Sequence, residues 1–396
     1  MNRILLLFLV ILEIFSQLYW VHYKSELASV VYMLCGLATG LSCIHYKPPK
    51  NKTTTPVDRI WTYLILATLV LMLFSYAKDF FVEVPLDYHT ADMLPIIQTM
   101  CERFINGMNP YTIIPEIWGG MQPIYLPGLW MPFIPASLLE FDLRWMCLSA
   151  LAVCLLLIYS KYLKGLNTLQ SLTFIPAFLI ILSIISIDNS LITMTQEPIV
   201  ILWYIAMSWS FINNHPRLFG VFSALSLLSR YALAPWLLMI GAILFWDRKR
   251  FFFRAVISGT ITTLTLLFVS NANNYTEVFL GLSDNYLTDI ANNRGKYEGM
   301  INSGLGLAKF LDYNDLNLLH AFMKWVAIIS PICLGLYYKL REKYIPLDQF
   351  GIASLKVYLV LFYNLIIMPY SYLFYTSSFL SLFILIMAFS SVQYKK

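Results

Sequence analysis

One short stretch of this chain, residues 87–111, holds the polar groups best suited to chemistry. Asp87, His89 and Asp92 fall within its first six positions, in a chain that is otherwise strongly apolar. A carboxylate can take a proton from a substrate hydroxyl when it is held within hydrogen-bond reach. The stretch therefore predicts general-base chemistry, with Asp92 and Asp87 as candidate bases. His89 is a candidate for positioning a substrate or for pairing with an acid.

The same stretch has the pattern of a helix that lies on a membrane surface. Polar side chains share one face, and the apolar positions recur at helical spacing, at Met93, Ile97, Met100, Cys101 and Phe104. Such a helix is too polar to cross a bilayer and is expected along the outer interface. Asp92 then fits the N-cap of this helix, which is the structural alternative to a catalytic role.

A second candidate for chemistry is the tip of a short hairpin. Between Arg217 and Asp247, the first residue of the basic segment "DRKR", lie 29 residues, whereas two full membrane spans need about 40. The tip, with Arg230 and Tyr231, is therefore expected at the floor of a recess that opens outward. The guanidinium fork suits a phosphate group. The alternatives are snorkelling to lipid headgroups or a structural ion pair with an acid such as Glu197.

The composition sets the class of protein that must position these residues. The chain is 59% hydrophobic and 12% charged, with a mean hydropathy of +0.67, against about 25% charged residues in soluble domains. Its apolar runs are continuous, which favours helices over an alternating strand barrel. We therefore expect an all-α polytopic membrane protein. No cysteine pair has metal-ligand spacing. We expect no metal, no cofactor and no nucleic-acid partner.

The apolar runs predict about twelve transmembrane helices, near residues 4–20, 27–44, 60–77, 144–160, 170–187, 196–213, 218–229, 232–246, 252–270, 318–338, 349–367 and 372–390. Placing the N-terminus inside puts 17 of the 27 lysines and arginines on the cytoplasmic side, as the positive-inside rule favours. Both termini are then cytoplasmic. The active site would face outward, on the periplasmic side of a bacterial inner membrane. Lys324 and Lys356, which lie within spans, are expected to snorkel towards the membrane surface.

Two long loops remain, at 78–124 and 271–317, and both are predicted on the outer face with interfacial helices. The segment 123–145 is apolar but contains four prolines, so it is expected to be re-entrant or interfacial instead of spanning. The N-terminal apolar run lacks a small-residue cleavage pattern and is expected to remain as a signal anchor. These elements divide the chain into an N-terminal hairpin with a basic cytoplasmic loop, 1–59, and a main membrane domain, 60–396.

Several segments resemble one known class of membrane enzyme. The stretches "DMLPIIQTMCERFINGMNPY", "YLPGLWMPFIP" and "FDLRW" look like the first outer loop of the GT-C integral-membrane glycosyltransferases. The resemblance is closest to the polyprenol-phosphate-sugar-dependent group that includes the family 87 mannosyltransferases. Those proteins place an aspartate ahead of a Gly-x-x-Pro-Tyr turn; here Asp92 precedes Pro110 by 18 residues and Asp87 precedes it by 23. Farther on, "TQEP" and "LLSRYALAPW" resemble two more family segments, with Arg230 in the basic position.

The resemblance implies an inverting transferase. It would move mannose, or another hexose or pentose, from a polyprenyl-phosphate donor in the membrane to a glycan, glycolipid or protein acceptor. Asp92 or Asp87 would act near the acceptor and Arg230 would bind the lipid phosphate, with Arg294 and Lys296 as second candidates. Substrate contacts are expected from His89, Asn109, Tyr111, Tyr125, Gln196, Glu197, Tyr231 and Asn302.

Two other classes of function are compatible with such a chain. A transporter or flippase of lipid-linked sugars would show repeated halves and broken helices around a central pathway, and no repeat is visible in the sequence. A glycan polymerase or ligase that uses a diphosphate-linked donor would be expected to carry more outer-loop arginines than Arg103, Arg144 and Arg294. A sugar transferase is the reading that these features favour.

Overall fold

The computed structural model describes residues 3–44, 56–117, 119–160, 174–277, 279, 304–310, 316–365 and 370–389. These residues form helices, turns and one isolated bridge between Ile114 and Met121, with no strand among them. The predicted all-α class is therefore confirmed for the described part of the chain.

The α-helices are numbered here in chain order. They are α1 Arg3–Tyr23, α2 Glu26–Ile44, α3 Pro56–Glu83, α4 Met93–Ile105, α5 Pro127–Trp130, α6 Ile134–Leu138, α7 Arg144–Ser160, α8 Phe174–Ile187, α9 Ser190–Thr193, α10 Glu197–Ile212, α11 Pro216–Leu227, α12 Ala234–Asp247, α13 Lys249–Val269, α14 Leu316–Arg341, α15 Leu347–Leu365 and α16 Tyr375–Phe389. Short 3₁₀ turns connect some of them, at Met131–Phe133, Tyr231–Leu233, Ala272–Tyr275, Leu307–Phe310 and Ser371–Phe374.

A helix lies at each of the twelve predicted span positions. Within the described residues, six helical segments are long and apolar enough to cross a membrane. They are Arg3–Tyr23, Glu26–Ile44, Tyr63–Glu83, Lys249–Val269, His320–Arg341 and Ser371–Ala388. Five further apolar helices have 10–17 residues, shorter than the roughly 20 that a full crossing needs. The number of twelve spans and their orientation therefore stay predictions.

The N-terminal hairpin packs into the main bundle. Helices α1 and α2 lie against each other and against α15 and α16, and their buried side chains belong to the same core. A Cβ added to Gly40 would lie 2.7 Å from a methyl of Val357 and 3.2 Å from the carbonyl of Ala353. The lack of a side chain at Gly36 and Gly40 therefore lets α2 and α15 approach each other closely along this face.

A buried ion pair links the same elements. Lys356 on α15 donates to Glu13 on α1 and to the hydroxyl and carbonyl oxygens of Ser377, and Ser381 donates to Glu13 over 2.8 Å. Both charged side chains are 0% exposed. The expectation that Lys356 snorkels to the membrane surface is therefore wrong, because its ammonium group finds its ligands inside the bundle.

The segment between α3 and α7 forms a second, smaller core. Leu94, Ile97, Met100 and Cys101 of α4 are buried against residues that include Trp130 and Phe133. This confirms the predicted amphipathic helix. Helix α3 extends to Glu83, so the loop that precedes α4 is shorter than expected.

The proline-rich segment 123–145 makes three short helical pieces in place of one long helix. Pro127, Pro132 and Pro135 each begin a piece within its first two positions, as proline at a helix start allows. Arg144 ties this segment to the bundle by donating to Asp142 and to the carbonyl oxygens of Phe81 and Val84, which end α3. The segment thus forms no single long helix, and its re-entrant or interfacial placement stays a prediction.

Candidate functional site

The short hairpin predicted from charge spacing is present. Its arms, α11 and α12, have 12 and 14 residues, and Arg230 lies in extended backbone between α11 and the turn Tyr231–Leu233. The amide of Arg230 donates to the carbonyl of Ser226 over 2.9 Å, which holds the chain at the end of α11. The hairpin thus fixes the backbone of Arg230 at a helix junction.

The side chain of Arg230 makes an ion pair with Glu197. Its Nη2 donates to Oε2 of Glu197 over 2.7 Å, where the arginine side chain is 25% exposed and the glutamate 0% exposed. Glu197 lies in the first turn of α10, where a negative charge is stabilised by the helix dipole. The ion pair with Glu197, which is the structural alternative to a phosphate-binding role of Arg230, is therefore present. The pair is one-sided in exposure, since only the arginine reaches solvent or a ligand.

The guanidinium retains hydrogen-bonding capacity beyond this ion pair. Among the residues that the structure describes, the buried Nε of Arg230 and the buried Oε1 of neighbouring Gln196 have no hydrogen-bond partner. Buried polar atoms are nearly always hydrogen-bonded. The unpaired Nε therefore leaves the guanidinium with a donor for a further polar group.

Tyr125 is within electrostatic range of both this arginine and Asp92. It packs against both cores, at the junction of the small outer core and the main bundle. Burial raises the pKa of its hydroxyl, the negative charge of Asp92 raises the pKa further, and the positive charge of Arg230 opposes that shift. Asp92 and Arg230 therefore act on the same phenol from within electrostatic range. The structure brings together a carboxylate, a tyrosine and an arginine that the sequence separates by over a hundred residues.

Asp92 occupies the N-cap position of α4, as expected. Its backbone is helical, with φ −82° and ψ −19°, and its side chain makes no capping hydrogen bond to α4. A capping residue normally has extended backbone and accepts such a bond. The cap alone therefore does not explain the carboxylate at this position.

Asp87 and His89 lie in the turn that precedes α4. The carbonyl of Asp87 accepts hydrogen bonds from the amides of Thr90 and Ala91, both over 3.0 Å. His89 is exposed, and its ring contacts that of Tyr88 at 4.0 Å between centroids. The half-buried Asp87 is thus placed five residues ahead of Asp92 on the same outer segment.

Tyr111 and Asn109 are part of the packing of the outer segment. Tyr111 is 0% exposed; Trp130 donates to its hydroxyl over 3.0 Å, and the hydroxyl donates to the carbonyl of Tyr125 over 3.2 Å. The Oδ1 of Asn109 accepts from the amide of Tyr111, and its Nδ2 donates to the hydroxyl of Tyr275. Stacking of a sugar on Tyr111 is therefore wrong for this structure, because its ring is enclosed. Tyr111 instead supports the backbone of Tyr125.

The remaining predicted residues divide into two sets. Tyr231 is exposed beside Arg230 at the mouth of the site. Arg294, Lys296 and Asn302 lie outside the described residues, as does most of the predicted loop 271–317.

Two tyrosines that sequence reasoning missed lie in the same place. Tyr370 and Tyr372 precede α16, and their rings are stacked with centroids 5.4 Å apart and planes 6° apart. Tyr372 interacts electrostatically with Arg230 and Glu197. Burial raises the pKa of Tyr370, and the charge of Asp92 raises it further. The alternating tyrosines of "PYSYLFY" are a signal in the sequence, but the predicted last span, 372–390, covers Tyr372 and leaves Tyr370 just outside it.

An apolar groove lies along the helix that follows the arginine, and its first lining residue, Ala234, is four positions after Arg230. It lies between α12 and α14, has a volume of about 610 Å³, and runs from Ala234 and Pro235 to Trp246 and Lys339. Residues 234 to 246 of a helix extend for about 18 Å. Leu238, Trp246 and Leu336, which line the groove, are largely exposed. The groove thus faces the surface that lipid would cover and ends three residues from Tyr231.

Within the described residues, no three His, Cys, Asp or Glu side chains are grouped closely enough to hold a metal ion. Metal independence stays a prediction.

Comparison of the chain with known protein families, with curated proteins and with solved structures gives no significant match.

Proposed function

We propose that this chain is an inverting membrane glycosyltransferase that uses a polyprenyl-phosphate sugar as donor. The observation that supports the proposal is that the charges of Asp92 and Arg230 both act on the buried phenol of Tyr125. Transfer from a lipid phosphate needs a base for the acceptor and a cation for the leaving group. This site offers one of each at the junction between the outer segment and the helical bundle.

The reaction assigns one role to each charged group. The acceptor oxygen attacks the anomeric carbon as the carboxylate of Asp92 takes its proton, and the bond from that carbon to the phosphate oxygen breaks. The electron pair leaves with the phosphate, which changes from a monoanionic diester to a dianionic monoester. Arg230 receives this added negative charge through the guanidinium edge that Glu197 leaves open. Attack opposite the leaving group inverts the anomeric centre, and no step requires a metal.

The groove between α12 and α14 supports a lipid donor over a soluble nucleotide sugar. Its walls are apolar, it opens on the lipid-facing surface, and its first lining residue, Ala234, lies four positions after Arg230 in the chain. We propose that the hydrocarbon chain of a phosphate bound at Arg230 enters this groove. The expected orientation, with this site on the outer face of a bacterial inner membrane, follows from the charge distribution of the loops.

Asp87 is retained as the second candidate for the base. The two aspartates can be separated by comparing Asp92→Asn, Asp87→Asn and the double variant in purified protein, with transfer from a radiolabelled mannosyl polyprenyl phosphate as the readout. We expect Asp92→Asn to lower kcat by roughly 10²–10⁴-fold, the range of general-base contributions, and Asp87→Asn to lower it by less.

Glu102→Gln is the matched control for these variants. Glu102 is an exposed acid on α4, hydrogen-bonded to Gln98 within the same helix, so its loss tests removal of a carboxylate from the same segment. Normal turnover in the Asp92→Asn, Asp87→Asn double variant would refute the proposed mechanism. Movement of the lipid-linked sugar across the membrane without transfer would instead support a flippase.

A further inference from the structure

The stacked tyrosines Tyr370 and Tyr372 form a flat surface beside the proposed reaction centre. They lie on either side of Ser371 at the start of the 3₁₀ turn that leads into α16, which is closed by a hydrogen bond from the amide of Leu373 to the carbonyl of Tyr370. Their rings are parallel to within 6°. Tyr372 packs against the main core, while Tyr370 is 42% exposed. The inner ring therefore holds the outer ring in place and leaves part of it accessible.

The position of this pair distinguishes it from ordinary interfacial aromatics. Tyrosine is common at membrane surfaces, where its ring lies among headgroups without binding a specific ligand. Here the charges of Arg230 and Glu197 act on the inner ring, Tyr372, and the charge of Asp92 acts on the outer ring, Tyr370. The stacked pair is thus within electrostatic range of the cation proposed to hold the phosphate and of the acid proposed to activate the acceptor.

We propose that Tyr370, held by Tyr372, is a stacking platform for the acceptor, and that the acceptor is therefore a sugar ring. One face of a pyranose presents several C–H groups with slight positive charge, which complement the negative face of an aromatic ring. An extended peptide with a serine or threonine hydroxyl has no such flat apolar face. This inference rests on the proposed transferase function and narrows its acceptor to a glycan or glycolipid.

The platform can be tested with the purified protein in lipid nanodiscs. Methyl and octyl glycosides of several hexoses and pentoses serve as acceptor probes, and a serine- and threonine-containing peptide serves as the competing class. Saturation-transfer NMR reports which ligand protons contact the protein without requiring turnover. The variants are Tyr370→Phe, which keeps the ring, and Tyr370→Leu, which removes it. Tyr344→Leu is the control, because it also removes an exposed tyrosine ring, in this case from the turn after α14.

The expected result is contact through the ring C–H protons of at least one glycoside, retained in Tyr370→Phe and lost in Tyr370→Leu. With a glycoside that is turned over, Tyr370→Leu should raise the acceptor KM by about ten-fold, the upper range for an aromatic stacking contact, and change the donor KM by less than about two-fold. Glycoside binding that survives Tyr370→Leu, or binding of the peptide alone, would overturn the platform. Sensitivity of transfer to Asp92→Asn with no effect of Tyr370→Leu would leave the proposed function intact and remove only this inference.

Discussion

The Nη2 atom of Arg230 lies 2.7 Å from Oε2 of Glu197, in a pair whose acid is completely buried and whose base is one-quarter exposed. The two residues lie at the ends of different helical segments, 33 positions apart. Loss of the carboxylate and loss of the cation should therefore affect stability differently, because only the arginine side chain is in contact with solvent. The pair therefore both stabilises the junction of α10 and the α11–α12 hairpin and presents one guanidinium edge to a ligand.

This asymmetry predicts unequal losses of stability. Arg230→Gln leaves the buried Glu197 without its cation and should lower the free energy of unfolding by about 3–5 kcal/mol, the range for breaking a buried pair. Glu197→Gln should cost less, since Arg230 retains access to solvent. The measurement is thermal or denaturant unfolding in detergent.

The double variant Arg230→Gln, Glu197→Gln provides the control for this prediction. Its loss of unfolding free energy should be smaller than the sum of the losses in the two single variants, which indicates coupling between the two side chains in a double-mutant cycle. Additive losses would show that the contact contributes nothing to stability. For transfer activity we expect the same order: Arg230→Gln abolishes phosphate stabilisation and is the more damaging change, whereas Glu197→Gln retains the cation.

The features that could be predicted from the sequence are those set by local pattern. The apolar stripe from Met93 to Phe104 predicts α4, and the short distance between Arg217 and Asp247 predicts a truncated hairpin with Arg230 at its tip. The pairing of Arg230 with Glu197 follows from that hairpin, because a charge held within an apolar bundle needs a partner.

The features that escaped prediction depend on contacts between distant segments. Tyr111 and Tyr370 are both tyrosines next to a proline in polar turns, yet one is enclosed and the other is partly exposed. Only packing against Trp130 and Tyr275 separates the two cases. Lys356 was assigned to the membrane surface because its ligand Glu13 is 343 positions away, and no periodicity in the sequence reports that distance.

The groove between α12 and α14 predicts a dependence of the donor KM on the length of its hydrocarbon chain. Ala242→Trp should fill the groove and raise the KM for a long-chain polyprenyl-phosphate sugar by about ten-fold, because buried apolar surface contributes roughly 25 cal/mol per Å². The KM for a short two-isoprene donor should change little. Steady-state kinetics with the two donors provide the measurement.

Leu71→Trp is the control for the groove variant, since Leu71 is a largely exposed residue of α3 and takes no part in the groove. An equal effect of Ala242→Trp on the KM of the long and the short donor would show that the hydrocarbon chain of the donor binds outside this groove. Native behaviour with both donors would show that the groove does not hold the lipid of the reaction.

The buried pair Glu13–Lys356 predicts that the N-terminal hairpin is required for a stable bundle. Glu13→Gln and Lys356→Met each leave one buried charge unpaired, so each should lower the free energy of unfolding by about 3–5 kcal/mol. The double variant Glu13→Leu, Lys356→Leu should lose less than either single change, because apolar residues can replace a buried ion pair at little cost. Unfolding in detergent, monitored by helical circular dichroism, provides the measurement, and near-native stability of both single variants would contradict the prediction.

Cys101 on α4 predicts a loss of stability at alkaline pH. Burial among the side chains of the outer core raises the pKa of its thiol from 9.0 to about 12. In the unfolded chain the thiol ionises near pH 9, whereas in the folded chain it stays neutral, so the stabilisation is fully present below pH 9 and is lost as the pH rises from about 9 towards 12. Cys101→Ala should remove this part of the pH dependence.

Because the thiolate is the reactive form, iodoacetamide at pH 9 should label Cys101 in the unfolded protein and leave it unlabelled in the folded one, as read by peptide mass spectrometry. Rapid labelling of Cys101 in the folded protein would show that α4 opens from the core under these conditions.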